Sequence, residues 1–170
     1  MVTSSACSDT SNTTVVNVHK TIINNTISFV GGAVEDTICN GATPALLKGT
    51  IPGGGSLIPG DYTFQWYFSI NNVTWSILPT GGTATDYQPG ALAVTTWFRR
   101  NVYSPASLPS SLSKSNSIKI TVLPLITNKD ISADQTVCKG SPFAAITNAA
   151  GSPLGGDGIY RYTWRKDSAN

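Results

Sequence analysis

A chain of 170 residues has room for one large domain or for one and a half of ordinary size. Its charged share is only 12% and its net charge +2, with Lys and Arg scattered singly, which leaves no basic stripe for nucleic acid or an anionic membrane surface. With no run of about 18 apolar residues, no membrane insertion is expected, and three cysteines without CxxC or CxxH spacing beside a single His19 predict neither a metal site nor a cofactor.

At the N-terminus, Met1 is followed by Val2-Thr3-Ser4-Ser5 with no basic or apolar leader region, which reads as the start of a truncated piece whose export signal lies elsewhere. The first β-like stretch is Asn12-Thr13-Thr14-Val15-Val16-Asn17-Val18. Thr37-Ile38-Cys39-Asn40-Gly41 follows, then the turn signals Pro52-Gly53-Gly54-Gly55 and Pro59-Gly60-Asp61. Long strands are predicted over residues 62–68 and 95–103, with turns between them at Gly81-Gly82 and Pro89-Gly90. Beyond Pro105, residues 117–123 alternate Ile118, Ile120 and Val122 against Ser117, Lys119 and Thr121, which gives one apolar face. No apolar stripe of helical period runs for the length of a helix.

The chain then repeats itself. Thr136-Val137-Cys138-Lys139-Gly140 echoes the segment around Cys39, 99 residues earlier, and Tyr160-Arg161-Tyr162-Thr163-Trp164 echoes Tyr62-Thr63-Phe64-Gln65-Trp66, 98 residues earlier. Asn116-Ser117-Ile118-Lys119-Ile120-Thr121-Val122 resembles the stretch beginning at Asn12 at an offset of 104, and Ile131-Ser132 matches Ile27-Ser28 at the same offset. The drop from 104 to 99 reflects five extra residues within 29–36. The expected organisation is therefore the C-terminal strands of a truncated module (1–24), a complete module (25–124) and the N-terminal part of the next (125–170). About seven short strands in about 100 residues predict an all-β fold of tandem immunoglobulin-like β-sandwich modules. Residues 20–25 and 123–130 read as short connections, stiffened by Pro124 and by β-branched Ile22, Ile23, Ile126 and Thr127.

Thr136-Val137-Cys138-Lys139-Gly140-Ser141-Pro142, followed by Gly155-Gly156-Asp157-Gly158 and the Tyr160 to Trp164 strand, resembles the repeats of giant surface adhesins of Bacteroidota, including SprB-type gliding-motility adhesins exported by the type IX secretion system. Asn71-Asn72-Val73-Thr74-Trp75, Tyr87-Gln88-Pro89-Gly90-Ala91-Leu92 and Thr95-Thr96-Trp97-Phe98-Arg99-Arg100 look like later strands of the same repeat. The resemblance covers nearly the whole chain. It implies an extracellular cell-surface location and a structural, adhesive role in a stalk or fibre, with gliding motility as one setting. Its implied partners are neighbouring modules, surface polysaccharide or other cells, and further copies in lateral or end-to-end association. A glycan-binding module, or a non-catalytic spacer of a secreted carbohydrate-active enzyme, is the alternative.

Individual residues divide accordingly. Trp66 and Trp164 hold equivalent strand positions and are expected in the core. Trp75, Tyr87 and Trp97 are candidate glycan-stacking aromatics, against the plainer expectation that alternating strands bury half their residues. Asp61 and Asp157 read as turn formers, since one carboxylate cannot supply a calcium shell. Cys7 aligns with Ser107 of the complete module, leaving Cys39 without a partner inside it; the cysteines are either unpaired within this chain or small buried hydrophobes. Asp36-Thr37-Ile38 and Asp167-Ser168-Ala169 look like the O-glycosylation tripeptides of exported Bacteroidota proteins, implying Thr37 and Ser168 as acceptors, against ordinary strand-edge or loop positions. No nucleophile stands with a base, the Ser-rich stretch 107–117 included, and the chain is expected not to be an enzyme.

Overall fold

The β-branched and aromatic stretches form strands, and no helix occurs among the described residues of the computed structural model, which are 2–3, 8–14, 16, 20–55, 61–104, 111–149 and 151–165. Val2–Thr3 (β1) pairs antiparallel with Ser8–Asp9 (β2). The remaining strands are Ile27–Phe29 (β3), Glu35–Cys39 (β4), Leu47–Gly49 (β5), Thr63–Ser69 (β6), Ser76–Ile77 (β7), Thr96–Ser104 (β8), Ser111–Lys114 (β9) and Ile118–Leu123 (β10). The larger sheet runs β4-β10-β8-β6-β7, with β9 beside the far end of β8. Its β4–β10 pair is parallel, from Glu35 opposite Lys119 to Cys39 opposite Leu123, and its other pairs are antiparallel. A smaller sheet pairs β3 with β5 and is extended by bridges between Leu47 and Tyr87 and between Ile23 and Gly53. The fold is all-β with two sheets about one core, as in a β-sandwich.

Strand alternation builds that core. Along β8, Thr96, Phe98, Arg100, Val102 and Ser104 are buried, while Trp97, Arg99 and Tyr103 are only partly so. In register, Trp66 stands opposite Arg100, and Phe68 opposite Phe98. Trp66 is fully buried among Ile27, Phe29, Leu47, Phe98, Ile118 and Ile120, and its indole N–H donates to the Ala84 carbonyl at 2.8 Å. It is a core residue, as expected.

Arg100 shares this interior and is fully buried. Its Nη2 donates to Asn25 Oδ1 (3.0 Å) and the Thr50 carbonyl (2.8 Å), its Nη1 to the Thr85 carbonyl (2.9 Å) and its Nε to Asn25 Oδ1 (3.2 Å). Asn25 in turn donates to the Ser113 carbonyl. The side chain therefore ties β8 to segments flanking the smaller sheet. Gly49 makes room for it, since a Cβ there would collide with Nη1 and with the Thr85 carbonyl.

Residues 20–25 are not a free connection. Ile22 and Asn25 are buried, and the Lys20 carbonyl accepts from Gly55 N at 2.8 Å. The same arrangement recurs further along: the Pro124 carbonyl accepts from Gly156 N at 2.9 Å, with Pro124 standing 104 residues after Lys20 and Gly156 standing 101 after Gly55. Ile23 bridges Gly53 as Thr127 bridges Leu154, and Asn24 and Asn128 both take positive φ, 58° and 54°. Tyr62 donates to the Gly54 carbonyl as Tyr160 does to that of Gly155. Both glycines have positive φ and lie so close to a preceding carbonyl, of Thr21 or Leu125, that a Cβ would collide with it.

Beyond this anchor the likeness thins: the Ile131–Asn148 bridge repeats the pairing of Ile27 with Gly49, and Ala149 N donates to the Asp130 carbonyl as Thr50 N does to that of Thr26. Residues 124–165 hold isolated bridges but no strand among those described, and Trp164 is 66% exposed. The expectation of a buried Trp164 is corrected: Trp66 is covered because β6 pairs with β8 beneath the smaller sheet, and no described strand does this for residues 160–164.

Candidate functional site

The positions opposite the core form an outward face on the larger sheet. Trp97, Arg99, Asn101 and Tyr103 follow one another on β8; Tyr67 and Ser69 lie beside them on β6, and Lys119 lies beside them on β10. The Arg99 guanidinium sits 4.2 Å from the centre of the Trp75 ring and 5.4 Å from that of Tyr67, and Lys119 Nζ sits 5.8 Å from that of Trp97. Such placements attract each cation to the ring face. Arg99 Nε and Asn101 Oδ1 are buried without a hydrogen-bond partner.

Tyr67 and Tyr103 join hydroxyl to hydroxyl at 3.4 Å, and Asn101 Nδ2 reaches the Tyr103 oxygen at 3.5 Å. With Tyr67 as donor, that bond raises the Tyr67 phenol above its ordinary pKa, and burial adds to the rise. Accepting from Tyr67 and then Asn101 lowers the Tyr103 phenol; burial opposes this, while Lys114 and Arg99 add to it. On the interior side, burial pushes Arg100 down to about 10, with Asp86 opposing, so it stays charged at neutral pH. Burial would raise the Asp86 carboxyl, but hydrogen bonds from Lys48 and the Gly49 N–H outweigh it and hold the group low.

Residues 30–124, more than half of the chain, match the family described as a domain of unknown function, DUF8696. The chain belongs to this family. No curated protein and no solved structure matches it. The DUF8696 domain contains β4 to β10 whole, while β3 and Asn25, just ahead of it, complete the core and the Arg100 network.

Within the DUF8696 domain the structure brings together two of the three candidate stacking aromatics. Trp75 and Trp97 both contact cations of the outward face. Tyr87 does not join them: its ring lies 5.7 Å from Trp66 and 5.8 Å from Phe98, packed against the core, where burial raises its phenol. Tyr67, Tyr103, Arg99 and Lys119 were not singled out from the sequence, although strict alternation from Trp97 places Arg99 and Tyr103 on its side of the strand.

Thr37 is exposed on β4, the edge of the larger sheet, and its N–H donates to Asp36 Oδ1. Ser168 lies outside the described residues, as do Cys7, His19 and Ser107. Cys39 and Cys138 are free and exposed, so for these two the buried alternative is corrected; each begins a turn at the surface, its carbonyl accepting from Ala42 or Ser141. Asp157 accepts from Ile159 N, a turn-forming role. Among the described residues no three His, Cys, Asp or Glu side chains gather as a metal set, and no helix is long and apolar enough to cross a membrane.

Proposed function

We propose that this chain is a structural and adhesive repeat segment of a large secreted cell-surface protein, with its DUF8696 domain as one immunoglobulin-like module in a tandem array. The observation that carries this reading is the duplicated anchor, in which the hydrogen bonds that seat residues 20–24 on the glycine turn at 53–55 recur at residues 124–128 and 154–156. A chain that repeats the way it enters a fold is suited to end-to-end stacking of units. The sheet order, with a parallel outer pair beside β8 and β6, supports an immunoglobulin-like sandwich.

The joint itself favours a stalk over a flexible tether. Leu123 is still paired with Cys39 in the larger sheet, and the next residue, Pro124, already accepts a hydrogen bond from Gly156, so no uncommitted residue separates the two. Cell-surface location, type IX export, a link to gliding, a non-catalytic role and O-glycosylation at Thr37 belong to the same proposal, and they rest on the adhesin resemblance. Small-angle scattering tests the stalk. An elongated particle with a radius of gyration well above the ~15 Å of a compact 170-residue domain is expected; a value near 15 Å with a symmetric distance distribution would overturn it.

A further inference from the structure

We propose that the outward face of the larger sheet binds an acidic polysaccharide. This rests on the adhesive part of the reading above and assigns the adhesion to a surface and a ligand chemistry. Trp75 and Trp97 are partly accessible rings of the size that stacks on the C–H face of a sugar, and Arg99 and Lys119 stand within 6 Å of those ring centres. A third cation, Lys114, lies opposite Asn101 in the register of β8 and β9.

The cations of this face pack on rings but take no part in an ion pair. The ion pair among the described residues is Lys48 with Asp86, elsewhere on the domain; Glu35, opposite Lys119 in the β4–β10 register, makes no ion pair with it. Three cations against one carboxylate leave the face positive within a chain whose net charge is only +2. A neutral glycan would use the rings and leave the cations idle. A uronate- or sulfate-bearing chain engages both, because each anionic sugar can set its ring on an indole and its charge against the neighbouring cation. Ring-stacked cations also lose less to desolvation on binding than fully hydrated lysines on an open surface.

The test is affinity gel electrophoresis of the intact chain through polygalacturonate, with dextran as the neutral comparison and anionic phospholipid vesicles and single-stranded DNA as other anions. Retardation by polygalacturonate but not dextran is expected, fading as salt rises from 0.05 to ~0.5 M because the contacts are screened. Trp97→Ala and Lys119→Gln should each weaken it about tenfold, whereas Lys139→Gln, which removes the same charge outside this face, should leave it unchanged. Thermal melting verifies that each variant is folded; if Trp97→Ala is not, the comparison of Lys119→Gln with Lys139→Gln decides. No retardation, equal retardation by dextran, equal loss in the two lysine variants, or equally strong binding to vesicles or DNA would each overturn the proposal. The scattering result is independent of these outcomes, so failure of the ligand assignment is distinguishable from failure of the stalk.

Discussion

Arg100 brings a full charge into the interior of a chain in which few residues are charged at all. It is tolerated because three backbone or amide oxygens from three segments converge on it, and because Gly49 leaves the space. Removing the guanidinium strands those oxygens, so Arg100→Met is expected to cost at least about 3 kcal/mol in denaturant unfolding; an unchanged midpoint would show that the network does not hold the sheets together. Asp86 gives a second expectation. Its folded pKa is depressed, so its contribution is fully present above the ordinary carboxylate range and is lost as pH falls through about 4 and below. Asp86→Asn should therefore flatten the acid limb of the stability curve below about pH 4, which thermal melts across pH will reveal. At this scale the sequence exposed Trp66 plainly. It hid Arg100, because a charge is normally read as solvated, and its partner Asn25 sits in a stretch that reads as a connection.

Among the elements, the three long strands were legible to within a residue at each end. Tyr62 falls just outside β6, whose pairing begins with Thr63 opposite Tyr103, and its hydroxyl holds the Gly54 turn. The three-residue β3 and β5 were not legible, since so short a run carries no period, and their pairing depends on contacts far along the chain. The split between β9 and β10 was also hidden. There Asn116 replaces a ladder rung, its amide donating to the Ile27 carbonyl at 2.9 Å while its oxygen accepts from Ile27 N at 2.8 Å. Asn116→Ala should cost about 1–3 kcal/mol by leaving both backbone groups unpaired, and hydrogen exchange at the Ile27 amide should accelerate with it. An unaltered Ile27 rate would mean that water replaces the side chain without loss.

At the scale of the whole molecule, the repeat in the sequence and the duplicated anchor in the structure report the same internal similarity at offsets between 98 and 104. Read as only the N-terminal part of a module, residues 125–170 lack the later strands that would pair with theirs, and the described residues there hold isolated bridges without a strand. Hydrogen exchange should accordingly be slowest in β6, β8 and β10 and much faster across residues 131–149, where pairing is limited to an isolated bridge and a few loop bonds; equal protection would contradict this division. The parallel β4–β10 ladder has one more consequence. Tension that enters β4 at Glu35 and leaves β10 at Leu123 drags two parallel strands past each other, so their five paired positions are loaded in shear together. An antiparallel hairpin pulled from its open end would instead peel rung by rung, and would yield at a lower force.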